Sequence, residues 1–311
     1  MPTPTGDIVG QRRWYWPAFS APGLLWLLLL FVTPFYAIVA VAMGGRDPIF
    51  GLGLPAWNPL EWNFTEIRGV VGEITTQSTL QDQFFRTLLF IAIAVTLCIL
   101  IGYPVAYYTA RHGGRWKVVL LSLMIAPFWM SYLMRMLAWV NLLNNEPESP
   151  GLVNQALLAT PFVSEPINWF AGNAAPIAVV LGLVYGYIPF FILPLYAALD
   201  RIDKSQLEAS RDMGASPGGT FFRVTLPLSK QGILAGSVII TLPMFGDYYT
   251  PNLMSGQPSV SMIGNAIERS LNNTGGQPRG ASLTLMLSLF VALLMIYYLV
   301  SVARASRQAR E

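Results

Sequence analysis

Leu207-Glu208-Ala209-Ser210-Arg211-Asp212-Met213-Gly214-Ala215-Ser216-Pro217 stands between two long apolar stretches and runs on through Gly218 and Val224 into Thr225-Leu226-Pro227. Ser205 with Glu208 three residues later has the form of a capping box, so a short helix is expected to begin there. Gly214 is placed to end it in a left-handed turn. Ser216 can cap a second helix that holds Pro217 in its first turn, where a missing N–H costs nothing. The spacing therefore predicts two short helices joined by a glycine elbow. They present Leu207, Met213, Phe221 and Phe222 among the charges of Arg211, Asp212 and Arg223. A rigid amphipathic protrusion of this kind is something a soluble partner can grip.

The flanking stretches place the chain in lipid. Its 311 residues are 54% hydrophobic and 11% charged, against about 25% charged in an ordinary soluble domain. The apolar residues gather into runs of about 20, the length a helix needs to cross about 30 Å of hydrocarbon. Six spans are expected, at 24–43, 85–110, 117–142, 176–199, 229–250 and 281–303. They make an all-α polytopic membrane protein with a transmembrane domain at 24–303, in which the loop 200–228 joins spans four and five.

The formal charge of +3 does not gather into a nucleic-acid-binding patch, because the basic residues alternate between loops. With the N-terminus inside, thirteen of the 19 Lys and Arg are cytoplasmic, from Arg12 and Arg13 through Arg111, Arg115, Lys117 and the 200–230 loop to Arg304, Arg307 and Arg310. Five are outside: Arg46, Arg68, Arg86, Arg269 and Arg279. The excess inside puts both termini in the cytoplasm, as an N-terminal segment 1–23 and a tail 304–311. Arg12 and Arg13 before an apolar run that closes on Ala40-Val41-Ala42 have some look of a signal peptide, but the run is too long for a signal core, and an uncleaved first helix is expected.

Between the spans, the outer loop 44–84 carries Trp57, Trp62 and Phe64 and suits an outer surface partly in the interface. The second outer loop, 143–175, holds Glu146, Glu148 and Glu165 and no Lys or Arg, which either attracts cations or follows from external loops avoiding positive charge. Pro34, Pro104, Pro127, Pro189, Pro194 and Pro243 lie within the spans, so kinked helices are expected. Kinks free carbonyls that a water-lined pathway can use. The lone Cys98 lies mid-span and reads as packing, and His112 in a basic loop has no second ligand near it. No internal repeat relates the two halves of the chain, so a second chain is expected to complete an alternating pathway.

Two ionisable groups fall inside the spans, where a charge costs about 2.5 to 3.5 kcal/mol at the centre. Arg135 lies about 18 residues after Lys117 and Asp247 about 17 after Lys230, which puts both roughly 26 Å above the cytoplasmic end of a straight helix. Three readings stand open. Arg135 pairs with Asp247, or it snorkels to the outer interface, or Asp247 with Tyr248 and Tyr249 greets a cationic substrate. Trp129 and Tyr132 could line the same channel.

The quoted loop resembles the EAA loop by which permeases of binding-protein-dependent ABC importers dock on their ATPase. Glu208, Ala209, Gly214, Leu226 and Pro227 match it in type and spacing, and Ser210 and Val224 are conservative departures. Further stretches look like the spermidine/putrescine permease branch. They are Pro127-Phe128-Trp129-x-Ser131-Tyr132-Leu133-x-Arg135, Gly151-Leu152-x-Asn154, and Tyr187-x-Pro189-Phe190 running on to Arg201-Ile202-Asp203. The resemblance implies an ABC importer permease fold and a coupling role for Glu208, Ala209, Gly214, Phe221, Phe222, Leu226 and Pro227. It also implies a substrate pathway past Asp247, Tyr248, Tyr249, Trp129, Tyr132 and Arg135. Relatives of this kind carry polyamines, opine-like compounds, aminophosphonates or iron.

The implied partners are a second permease subunit in a heterodimer, two copies of a cytoplasmic ATPase, an extracellular or periplasmic binding protein, and the lipid of a bacterial inner membrane. No nucleic acid is implied. The chain has no Gly-x-x-x-x-Gly-Lys-Ser/Thr phosphate loop. It is therefore expected to be no enzyme and to hold no cofactor, with ATP and Mg belonging to the ATPase. A secondary transporter would more often show inverted repeats and more buried ligands, an intramembrane enzyme would need His, Cys or paired carboxylates in its spans, and a bare scaffold would need neither kinks nor the loop.

Overall fold

The computed structural model describes residues 15–308 except 48, 50, 77 and 162. Arg12, Arg13 and Arg310, most of the segment 1–23 and the last residues of the tail 304–311 lie outside the described residues. The described residues divide into two compact units, one holding those up to Val70 with Ser270–Met286, the other Val71–Arg269 with those from Leu287 onward.

In the first unit α1 (Tyr15–Ala42) is apolar on every side, and only 6% of its most apolar window is buried, so its surface is made for lipid. A short antiparallel hairpin follows, β1 (Gly45–Arg46) with β2 (Gly53–Leu54), paired Gly45 to Leu54 and Arg46 to Gly53. Arg46 forms an ion pair with Glu66 at 2.7 Å, and the Trp62 indole donates to the Ala56 carbonyl at 3.1 Å. Glu66 lies near the start of α2 (Thr65–Thr75), so the long loop 44–84 is built rather than loose.

The second unit is ordered around three long helices: α3 (Thr79–His112), α7 (Ala175–Asp200) and α10 (Leu226–Phe245). Phe191 of α7 is fully buried at their centre. A Cβ on Gly102 of α3 would stand 2.8 Å from its ring, and one on Gly236 of α10 2.9 Å from it. The two small residues let three backbones close on one aromatic ring, which is how membrane helices associate where no hydrophobic force draws them together. Cys98 is buried in the same core.

Between α3 and α7 lie α4 (Lys117–Ile125), α5 (Tyr132–Leu142) and α6 (Leu152–Leu158); after α7 come α8 (Lys204–Asp212) and α9 (Pro217–Thr220). Beyond α10 are α11 (Tyr249–Met254), α12 (Ile263–Asn272) and α13 (Gln277–Gln308), the last two shared between the units. Among the described residues five helical stretches are long and apolar enough to cross a membrane, and the bent pair containing α4 and α5 brings the number to six when it is taken as one span.

Two of the spans are interrupted. The third, expected at 117–142, turns by 91° between its halves. Pro127 interrupts the hydrogen-bond ladder, a 3-10 turn covers Ala126–Trp129, and Met130 and Ser131 are extended before α5 restarts. The fifth, expected at 229–250, ends at Phe245. Gly246 and Asp247 donate back to Pro243 and Met244 in tightened turns, and α11 begins only at Tyr249. Asp247 therefore sits in a break between helices and not within one.

Candidate functional site

The break after α10 gathers the polar groups of the third, fourth and fifth spans. Asp247 is 6% exposed. Its Oδ1 accepts from the Thr250 N–H at 3.0 Å, and its Oδ2 accepts from the Thr250 hydroxyl at 2.6 Å and the Tyr187 hydroxyl at 3.2 Å. The Tyr132 hydroxyl stands 3.3 Å from Oδ2 and also meets the Thr250 hydroxyl. Four donors from α5, α7 and α11 thus converge on one carboxylate, which holds the three elements together and keeps the charge at a fixed place.

Arg135 is also 6% exposed, yet among the described residues it forms no ion pair, with Asp247 or any other acid. Its Nε and Nη1 are buried without a hydrogen-bond partner. The guanidinium lies 4.1 Å from the Phe128 ring centroid and 5.4 Å from that of Tyr132. Of the readings left open by the sequence, pairing with Asp247 is overturned, because the side chain is stacked on aromatic faces and bonded to no acid.

Arg135 and Asp247 nevertheless line one cavity of about 560 Å³, with Tyr132, Tyr187, Phe190, Tyr248 and Tyr249 in its wall. The straight-helix count that set them at one depth does not apply to a span bent by 91°. The bend itself brings them together. Tyr248 and Tyr249 stack on each other with centroids 4.2 Å apart. Trp129 lies on the elbow, 88% exposed and outside this wall. Tyr187, Thr250 and Asn265 were missed by sequence reasoning. Asn265 accepts from Met262 N–H at 2.8 Å and donates to the Tyr248 carbonyl at 3.1 Å, so it ties the break to the start of α12. No local pattern marks it.

The second gathering is the loop between spans four and five. Gly214 has φ +83°, the left-handed region, and Gly214 and Ala215 donate back to Arg211 and Ser210 to close α8. Ser216 accepts from the Gly219 N–H at 3.1 Å, with Pro217 in the first turn of α9. Two expectations are corrected. α8 begins at Lys204 after Asp203 with no side-chain cap, so Ser205 lies inside the helix and the capping box is not formed. The second helix is not a separate short piece, since α9 continues through a π-turn at Phe221–Thr225 into α10. Pro227 would drive its ring into the carbonyl one turn back, and the widened turn, closed by Leu226 N–H to the Phe221 carbonyl, moves that carbonyl aside.

On this loop Glu208, Ala209, Met213 and Phe222 are exposed, whereas Phe221 is held edge-on by Tyr103 and Tyr107 of α3, both at 5.6 Å. Leu226 is half-buried and Pro227 exposed. A second cavity, of about 590 Å³, lies beside α8 and is lined by Arg111, Lys117, Asp200, Lys204, Glu208 and Arg211 among others. Lys117 and Asp200 form an ion pair across it at 2.5 Å, and Arg111 donates to the Ile202 carbonyl at 2.9 Å. These bonds join the ends of α3, α4 and α7 just before the chain enters α8, which forms a ledge beside them.

Comparison with known proteins places the chain in a family. The chain is 32% identical over 273 residues to the spermidine/putrescine transport system permease protein PotB of Haemophilus influenzae, covering 88% of this chain and 89% of that one. It is 35% identical over 206 residues to the PotB protein of Escherichia coli strain K12, covering 66% and 72%. A chain in the crystal structure of a bacterial alginate ABC transporter in complex with its alginate pentasaccharide-bound periplasmic protein superposes with a TM-score of 0.71 at 14% identity, over 92% of this chain and 93% of that one, which shows the fold. Residues 99–307 match the family described as binding-protein-dependent transport system inner membrane component. With a bent third span, an EAA-type loop and a match that takes in the Asp247 cavity, the chain belongs to that family of inner-membrane ABC importer permeases.

Proposed function

We propose that this chain forms half of the translocation pathway of an ATP-driven importer of polyamines such as spermidine or putrescine, and that Asp247 is the carboxylate an ammonium group meets there. The observation that carries the reading is a nine-tenths-buried carboxylate facing a cavity walled by Tyr132, Tyr187, Tyr248 and Tyr249. Charge and the faces of aromatic rings are the two features that hold an extended organic cation. The names borne by the PotB relatives support the same cargo.

In this reading a second permease subunit completes the pathway, and one of two ATPase copies grips Glu208, Ala209, Met213 and Phe222 on the exposed side of the loop that holds α8 and α9. A periplasmic binding protein delivers the substrate, and both termini lie in the cytoplasm. ATP and Mg act in the ATPase. Closure of the ATPase pair moves the ledge, and the continuous α9–π-turn–α10 helix carries that motion to the Asp247 break at its far end. Spermidine uptake by the complete transporter in lipid vesicles tests it. Asp247→Asn is expected to abolish uptake while the complex assembles and still hydrolyses ATP, and uptake unchanged by that substitution would remove Asp247 from the pathway.

A further inference from the structure

Arg135 has no evident reason to be where it is. A guanidinium largely buried and without an anion is costly, and proteins keep such groups only where they do something. Here the nearby acid is turned to other partners. Asp247 takes its hydrogen bonds from Thr250, Tyr187 and Tyr132 and none from Arg135. Arg135 is held apart on Phe128 and Tyr132, with Nε and Nη1 unpartnered, while lining the same cavity.

The means of holding it apart is visible. α5 restarts after the 91° bend, so Arg135 stands one turn into a new helix and its side chain falls back over the rings of Phe128 and Tyr132. Tyr132 serves both charges, offering its ring face to the guanidinium and its hydroxyl to the carboxylate. Phe128 is itself braced edge-on by Phe190 at 5.2 Å. The cavity thus contains one negative and one positive charge, each fixed and neither neutralising the other by contact.

We infer that Arg135 is a specificity-determining residue of the transport site, a fixed counter-charge that limits how tightly the Asp247 cavity holds an organic cation and so allows its release. This rests on the polyamine reading above. A carboxylate in a low-dielectric cavity attracts a cation strongly, and a conducting or transporting site must bind well enough to admit its cargo and weakly enough to let it go. A positive charge locked in the same wall weakens that hold without occupying the carboxylate. It also disfavours a second cation entering beside the first.

Spermidine uptake by the complete transporter in lipid vesicles, with KM and maximal rate measured separately, tests this. Arg135→Gln removes the charge and is expected to lower KM by about tenfold and to lower the maximal rate with it, as release becomes limiting. Arg135→Lys, which keeps the charge, is expected to bring KM back toward that of the unaltered transporter, a rescue that a purely structural role for the planar stack would not give. An unchanged or raised KM in Arg135→Gln, or a lysine variant that behaves like the glutamine one, overturns the inference. Should Arg135→Gln fail to assemble, Phe128→Leu takes its place. Loosening the stack lets the guanidinium approach Asp247 and is expected to raise KM, and an unchanged KM overturns the inference. No spermidine uptake by the unaltered transporter would overturn the polyamine reading and this inference with it, whereas uptake with Arg135 variants of normal KM overturns this inference alone.

Discussion

The hydroxyl of Tyr187 donates to Asp247 Oδ2 at 3.2 Å, joining the fourth span to the break that ends the fifth. The bond crosses between elements 60 residues apart in the chain. It fixes the position of the one carboxylate in the cavity, and a hydrogen bond to a charged group contributes about 1.5 to 3 kcal/mol. Tyr187→Phe keeps the ring and deletes the donor. The thermal midpoint of the detergent-solubilised protein is expected to fall by a few degrees, and an unchanged midpoint would mean that the bond does not brace the fold.

Gly186, one residue earlier, makes room for the other phenol. A Cβ there would lie 3.0 Å from the Tyr132 ring, tight enough that the ring must give by a few tenths of an ångström. Gly186→Val is expected to push Tyr132 off Asp247 and to cut spermidine uptake by about tenfold or more, the equivalent of about 1.4 kcal/mol or more in transport efficiency. Protein level in the membrane should be retained. Uptake at the unaltered rate would show that Tyr132 does not have to be seated where it is.

At the opposite end of the same helices, Gly214 holds φ +83°. A residue with a Cβ in that region costs about 1 to 2 kcal/mol, and a β-branched one more. The turn will then open to a right-handed form and re-aim α8. Gly214→Val is expected to lower the amount of substrate imported per ATP hydrolysed, read by measuring uptake and phosphate release on the same vesicles, with Gly214→Ala milder. Equal coupling in both variants would detach the elbow from the transport cycle.

Asn154 is a different kind of position. It is fully buried and accepts from the Ile167 N–H and the Trp169 indole, both at 3.1 Å, while donating to the carbonyls of Asn144 at 2.9 Å and Ile167 at 3.0 Å. Asn154→Ala strands several buried groups at about 1 to 3 kcal/mol each. A clear fall in the unfolding midpoint, followed by tryptophan fluorescence because Trp169 is one of the partners, is the expected result. No shift would show that water replaces the side chain at no cost.

How far the chain could be read without coordinates differs from one part to another, and the difference is physical. Apolar runs of about 20 residues are a local property, because a bilayer leaves the backbone no partner but its own helix, so the spans of α1, α3, α7, α10 and α13 are written in composition. The elbow was equally legible. A glycine at a helix end and a serine before a proline act on the next few residues, and Gly214, Ser216 and Pro217 do so. The capping box was not, since whether Ser205 or Asp203 opens α8 depends on how the end of α7 delivers the chain.

The loop from Leu207 to Pro227 carried the resemblance that named the family, because residue types at fixed spacing are legible along the chain itself. What only the tertiary structure decided is the site. The 91° turn after Pro127, the break after Phe245, and the convergence of Tyr132, Tyr187 and Thr250 on Asp247 are outcomes of three spans meeting. A sequence can show that Arg135 and Asp247 are each too polar for lipid. Whether two such charges touch depends on the direction in which a broken helix resumes, and here it resumes so that Arg135 rests on Phe128 and leaves Asp247 to hydroxyl groups.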